Sequence, residues 1–133
     1  MPIQLGIISL STNANSWISA IHIVPLLTHQ NLSAKYTVTA LATSTPTTAA
    51  AAAQKWGLPS GKAYSSATDI AADPDIDLVA VSVEVPLHKE LALPALVAGK
   101  DVFMEWPLAN GAEEAQELVN AAKEGRCRTI VGL

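Results

Sequence analysis

Apolar positions along this chain alternate between short β-rich runs and longer stretches of helical spacing. Ile3 to Leu10 is a nearly continuous apolar run of strand length. Ser16 to Leu27 follows with Trp17, Ile18, Ile21, Val24 and Leu27 at helical spacing, which predicts a first strand and helix unit. Thr37 to Thr43 predicts the second strand. Thr45 then offers an N-cap oxygen, Pro46 suits the first helical position, and Gly57 closes a helix that runs through Trp56. The Ala49 to Ala53 run inside it reads as a methyl wall that lets the helix lie close to a sheet. A short strand at Ala63-Tyr64, a short helix from Ser66 to Ala72 and a turn at Asp73-Pro74-Asp75 lead into Leu78 to Val83. That last run is apolar enough for a strand buried on both faces. A helix from about Leu87 to Ala98 is closed by Gly99, and Asp101 to Met104 is a fifth strand. Asn110 is expected to cap a helix reaching Glu124 with Gly125 as its stop, and Thr129 to Leu133 is a sixth strand.

Strands that alternate with helices in this way predict an α/β fold. Parallel neighbours need crossover connections, and these pack on both faces in one hand. The expectation is a doubly wound parallel sheet of six strands, in the order 3-2-1-4-5-6, with residues 1–133 forming one Rossmann-like domain. Ligands bind such sheets at the carboxyl ends of the strands, at the switch point between the first and fourth, so the loops after Leu10 and Ser82 are the expected site.

Composition narrows the partners. Of the 133 residues 50% are apolar and 15% charged, well under the roughly 25% of an ordinary soluble domain, so part of the surface is expected to meet a partner or a further domain. Every carboxylate lies from Asp69 onward, so the first 68 residues carry +3 and the rest −7. The arginines are Arg126 and Arg128, and no basic cluster with interleaved aromatics occurs, which argues against a nucleic-acid surface. The apolar start lacks a basic flank and is broken by Asn13, Asn15 and Ser16, so it reads as a strand and not as a signal peptide or membrane span. One cysteine, Cys127, excludes an internal disulfide and fits a reducing compartment, with the cytoplasm as default and the nucleus allowed.

The chemistry expected at the switch point departs from the usual dinucleotide fingerprint. Where Gly-x-Gly-x-x-Gly should stand, the chain has Ser9-Leu10-Ser11-Thr12-Asn13-Ala14. Two readings stand there: Ser9, Ser11, Thr12 and Asn13 donate to a phosphate, or the loop is a plain polar cap on a helix. The acid expected at the end of the second strand, on the ribose of NAD, is absent, since that strand ends Ala42-Thr43-Ser44-Thr45. No arginine waits for the 2'-phosphate of NADP either, so NAD or NADP stays open, with the missing repulsion leaning toward NADP. His88 and Glu105-Trp106 follow strands four and five. His88 reads as a ligand contact or a structural histidine, and Trp106 as a stacking surface or a packing anchor. His22 and His29 lack the company of a metal site, and Cys127 has flanking arginines that could depress its pKa but no partner base. Gly6, inside the first strand, reads as a packing glycine.

Together, Asp73-Pro74-Asp75-Ile76-Asp77-Leu78-Val79-Ala80-Val81, Pro86-Leu87-His88-Lys89-Glu90-Leu91-Ala92 and Ala98-Gly99-Lys100-Asp101-Val102-Phe103-Met104-Glu105-Trp106-Pro107-Leu108-Ala109 resemble the N-terminal half of the Gfo/Idh/MocA family, named for glucose-fructose oxidoreductase, inositol dehydrogenase and MocA. The resemblance implies NAD or NADP binding by this half, and a second, C-terminal domain that carries the substrate and most catalytic groups. Ser9, Leu10, Ser11, Thr12 and Asn13 would face the pyrophosphate, Thr43, Ser44 and Thr45 the adenosine ribose, and Val83, His88, Glu105 and Trp106 the nicotinamide side. Within the family, Ser16-Trp17, His22 and Glu105-Trp106-Pro107-Leu108 resemble most the fungal branch that contains the galactose-regulon repressor. Active members have Glu-Lys-Pro where this chain has Glu105-Trp106-Pro107, so the catalytic lysine is missing. The second family domain is expected to be absent from this chain. The implied reading is a dinucleotide-binding domain with no catalytic residues of its own. The alternatives are a regulatory or scaffold module that binds protein, and a subunit of an oxidoreductase completed by another chain. A homo-oligomer or partner protein is expected at the sixth-strand edge.

Overall fold

The computed structural model describes residues 1–13, 15–19, 25, 26 and 29–132. Six strands form one sheet: β1 (Ile3–Ile8), β2 (Tyr36–Ala42), β3 (Ala63–Tyr64), β4 (Leu78–Val81), β5 (Asp101–Met104) and β6 (Thr129–Val131). Every pairing is parallel and the order is β3-β2-β1-β4-β5-β6, as the alternation of elements predicts. The register aligns Tyr64, Ala42, Ile8, Val81, Met104 and Val131 in one row across the sheet. The chain therefore leaves all six strands along a single edge.

The α-helices bounded within the described residues are α1 (Gln30–Ser33), α2 (Pro46–Trp56), α3 (Ala67–Ala72), α4 (His88–Val97) and α5 (Ala112–Gly125). Half of the predicted Ser16 to Leu27 helix, including His22, lies outside the described residues, and α1 carries no pattern that the sequence reading recognised. In α2 the Thr45 hydroxyl accepts from the Thr48 amide, Pro46 opens the helix, and Gly57 ends it at φ 69°, a left-handed conformation that glycine adopts without a Cβ clash. Ala49, Ala52 and Ala53 are buried against β1 and β2, so the alanine run is indeed a packing face. The other face of the sheet packs α3, α4 and α5 through Ile70, Ala92, Leu96 and Leu118.

Two caps differ from expectation. The N-cap of α5 is Gly111, and Asn110 instead donates its amide and side-chain N–H to Glu114. At the other end Gly125 is the last helical residue and Arg126 takes the left-handed position at φ 55°. Glycine is needed at 125 for closeness: a Cβ there would stand 2.3 Å from the Leu96 carbonyl oxygen and 2.8 Å from the Cys127 sulfur. Gly6 is a packing glycine too, with Ile76 2.9 Å from its would-be Cβ.

The turn that feeds β4 is held by a buried carboxylate. Asp73, 4% exposed, accepts from Lys62 Nζ at 2.9 and 2.8 Å, from the Tyr64 hydroxyl at 2.8 Å and from the Asp75 amide at 2.9 Å. Lys100 Nζ donates to the Asp73 and Ile76 carbonyls, each at 2.7 Å. Burial pushes the Asp73 carboxyl upward, but the Lys62 ammonium and the Asp75 and Tyr64 donors outweigh it and leave it below the ordinary value of 3.8. The stabilisation is therefore complete above that value and lost as pH falls through the lower folded-state value. Asp73→Asn is expected to cost about 2 kcal/mol at neutral pH and to flatten the loss of stability below about pH 4, read from urea denaturation at a series of pH values.

Candidate functional site

The residues that directly follow the aligned row of strand ends line one continuous cleft. One lobe, of about 430 Å³, is bounded by Ser9 and Ser11 after β1, Thr43 and Ser44 after β2, Ser65 and Ser66 after β3, Thr48 from α2, and Leu87, Glu90 and Leu91 beside α4. The other, of about 840 Å³, is bounded by Ser16, Trp17, Ser82, Glu84, Glu105, Trp106 and Gly132. Ser9, Val83 and Leu87 belong to both walls, so the lobes meet at the β1 and β4 ends. This is the switch point, where neighbouring crossovers diverge and leave a crevice. A third cavity, of about 230 Å³, lies against the sheet face among Leu5, Ile7, Leu26, Leu78 and Phe103 and is almost wholly hydrocarbon.

The first lobe is a surface of hydroxyls. Thr43, Thr45 and Thr48 form a chain in which Thr48 Oγ1 stands 2.7 Å from Thr43 Oγ1 and 2.8 Å from Thr45 Oγ1. No carboxylate stands at the end of β2, and Glu90 of α4 is the acid on this wall. Ser9 has φ 76°, the left-handed conformation that the first glycine of a dinucleotide turn would supply. The backbone geometry is thus kept although the glycine is not. The loop is further tied to α2, since Trp56 Nε1 donates to the Ser11 carbonyl at 2.9 Å and Lys55 Nζ to the Thr12 carbonyl. Lys55 also lies 5.2 Å from the centre of the Trp56 ring, which places a cation beside the loop.

The second lobe has different chemistry. Trp17 is 62% exposed and Trp106 66% exposed, both on this wall, so neither is a packing anchor. Trp106 precedes a cis peptide bond to Pro107, and Ser82 Oγ approaches Glu105 Oε1 at 3.5 Å.

Of the twelve residues expected from sequence at a cofactor site, Ser9, Ser11, Thr43, Ser44, Val83, Glu105 and Trp106 line the cleft. Thr12, Asn13 and Thr45 sit beside it without lining it, Thr45 being engaged as the cap of α2. Leu10 points inward into the core formed with Ala49 and Ala53. His88 is 0% exposed, and its ring nitrogens lie 3.1 Å from the Leu108 carbonyl and 3.0 Å from the Val83 carbonyl. Its position at the first turn of α4 turns the ring into the domain, so it ties together the loops after β4 and β5 and does not face the cleft. Cys127 donates to the Leu96 carbonyl at 3.3 Å; burial, then the charge of Asp101, pushes its thiol upward, opposite to the depression that flanking arginines would give. Arg128 is turned to Asp101 at 2.6 Å. Residues that sequence reasoning missed include Thr48 in α2, Ser66 at the cap of α3 and Glu90 in α4; Thr48 stands one turn past the cap Thr45, a signal that could have found it. Among the described residues no three His, Cys, Asp or Glu side chains group as metal ligands, and no helix is long and apolar enough to cross a membrane.

The family model described as the oxidoreductase family with an NAD-binding Rossmann fold, Gfo/Idh/MocA, matches residues 15–133. The chain belongs to this family. Among its relatives, the dehydrogenase aclE of Aspergillus oryzae is 45% identical over 131 residues, 98% of this chain and 36% of that protein. Among solved structures, a super-repressor mutant of Gal80p from Saccharomyces cerevisiae superposes with a TM-score of 0.85 at 26% identity, over 99% of this chain and 34% of that one. An inositol dehydrogenase homologue from Azotobacter vinelandii, complexed with NAD+, gives 0.83 at 26% identity, over 98% and 34%. The chain spans about a third of the length of the curated relatives it matches. Family members with enzymatic and with regulatory names thus share this domain.

Ser9 carries a backbone conformation unfavourable for any residue with a Cβ. Ser9→Gly is expected to raise stability by about 0.5–1 kcal/mol, the relief of left-handed strain less the added freedom of the unfolded chain, as read from chemical denaturation.

Proposed function

We propose that this chain binds NAD or NADP across the two-lobed cleft and performs no catalysis by itself. The observation that carries the reading is the left-handed Ser9 at the junction of two lobes on the strand-end edge, in a domain of an NAD-binding family. In this reading the pyrophosphate lies against Ser9 and Ser11, where hydroxyls and backbone amides donate and Lys55 adds positive charge nearby. The adenosine ribose lies at Thr43 and Ser44, where no carboxylate from β2 repels a 2'-phosphate, so both cofactors are admitted. The nicotinamide extends into the lobe of Trp17 and Trp106. The bound dinucleotide would supply hydride chemistry, but the described lining of that lobe holds no Lys, Arg or His to polarise a carbonyl oxygen. Substrate and the remaining catalytic groups would come from residues outside this chain.

Titration calorimetry with NAD, NADH, NADP and NADPH tests this. Saturable binding is expected for at least one of them, and Ser11→Glu, which sets a carboxylate against the pyrophosphate, is expected to weaken it at least about tenfold without unfolding. Saturation unchanged in the variant would refute the placement.

A second reading, protein binding by the same domain, draws on β6. It is an edge strand, and Ile130 on it is 58% exposed. We propose self-association or a protein partner there. Light scattering of the chain is expected to show association that Ile130→Lys removes, and a monomer in both would exclude self-association at this edge.

A further inference from the structure

The two lobes differ in charge chemistry in a way that dinucleotide binding alone does not need. The larger lobe presents two solvent-facing indoles, Trp17 and Trp106, and two carboxylates, Glu84 and Glu105. Its described lining contains no Lys, Arg or His. Indole faces attract cations through the ring quadrupole, and carboxylates attract them directly. A wall of this kind suits a planar group that carries positive charge.

A nicotinamide dinucleotide contains one such group, and only in one redox state. The oxidised pyridinium ring is planar and cationic, the reduced dihydropyridine ring is neutral, and the adenosine, riboses and pyrophosphate are the same in both. Any difference in affinity between the two forms therefore reports on the ring's surroundings and not on the hydroxyl lobe. Resting on the dinucleotide reading above, we propose that the Trp17, Trp106, Glu84 and Glu105 wall makes this domain selective for the oxidised cofactor. Occupancy of the cleft then follows the ratio of oxidised to reduced dinucleotide, and the domain reports redox state.

Apolar area alone would give a different result. Stacking of either ring on an indole buries similar surface, so a wall that contributes hydrophobic contact but no electrostatic selection binds both forms alike. The two accounts separate in a ratio of affinities.

The test is calorimetric titration of the 133-residue chain with the oxidised and reduced members of whichever pair, NAD or NADP, binds more tightly. The oxidised form is expected to bind about tenfold tighter, with the advantage shrinking as salt is raised. Glu84→Gln is expected to cut that ratio to about threefold or less while the reduced form changes by less than about twofold, and Trp106→Leu, which removes stacking from both rings, is expected to weaken the oxidised form more than the reduced one. Both side chains are exposed, and circular dichroism of each variant verifies the fold. Equal affinities, tighter binding of the reduced form, or variants that weaken both forms in proportion overturn the selectivity and leave dinucleotide binding standing. Absence of saturation by all four nucleotides overturns the dinucleotide reading and this one with it.

Discussion

Parallel strands constrain everything else in this molecule. Each crossover must return the chain to the same end of the sheet, so six strands release their loops along one edge, level with Ile8, Val81 and Met104. Two adjacent strands whose crossovers run to opposite sides leave a gap between those loops, and here the gap falls between β1 and β4. The site is a consequence of topology before any side chain is considered. Burial reinforces the constraint: Ile7 on one packed face and Val79, Val81 and Val102 on the other have no exposure, so a one-residue slip of register would exchange the two sets, spoil both packings and move every loop off the edge. The far end is pinned by Asp73, Lys62 and Lys100, whose charges are used up in hydrogen bonds to the turn before β4.

On that edge the chain keeps the geometry of a dinucleotide turn while changing its residues. Ser9 pays a conformational cost that glycine would avoid, and in return places a hydroxyl where the two lobes meet. Strain of this kind persists when its surroundings over-determine it, and here they do. Leu10 is locked into the core immediately after Ser9, Trp56 and Lys55 grip the next two carbonyls, and the Ser9 amide donates to Ala42 at 2.8 Å. The neighbouring loops are stiffened through His88, which spans from Val83 to Leu108 and so couples the β4 and β5 ends that carry Glu84, Glu105 and Trp106. Its burial makes it a positioning residue for the cleft.

The strands, their order and the caps Thr45 and Gly57 were legible in sequence because each depends on a local pattern: an apolar run, a side-chain oxygen before a proline, a glycine after a last turn. Seven cleft residues were legible for a related reason, since the first residues after a parallel strand have nowhere to go but the edge. The direction of a side chain within a loop is not local. Leu10 and His88 stand at expected positions in the chain, yet packing against α2 in one case and two carbonyls in the other turns them inward. Gly125 looked like a helix stop and is instead a contact with Leu96, because the distance between α4 and α5 is a tertiary quantity. Glu90 reaches the cleft from inside α4 with no local mark in the sequence, whereas Thr48 and Ser66 stand at helix starts, where the cap Thr45 points to the first of them.

The uneven placement of charge along the chain becomes uneven placement in space through the strand order. Residues 1–68, with three lysines and no carboxylate, build β1, β2 and β3, while the acidic remainder builds β4, β5 and β6 on the other side of the switch point. A net charge of −4 would by itself oppose an anionic ligand. The opposition is concentrated on one side, though, and hydroxyls line the other, with Lys55 held beside it on the Thr12 carbonyl. Glu90 is the exception, carried into the hydroxyl lobe by α4. A ligand negative at its middle and positive at one end fits that division better than one of uniform charge. An oxidised dinucleotide has this distribution: in the proposed pose its pyrophosphate would lie against the half that lacks carboxylates and its pyridinium ring against the half that holds them.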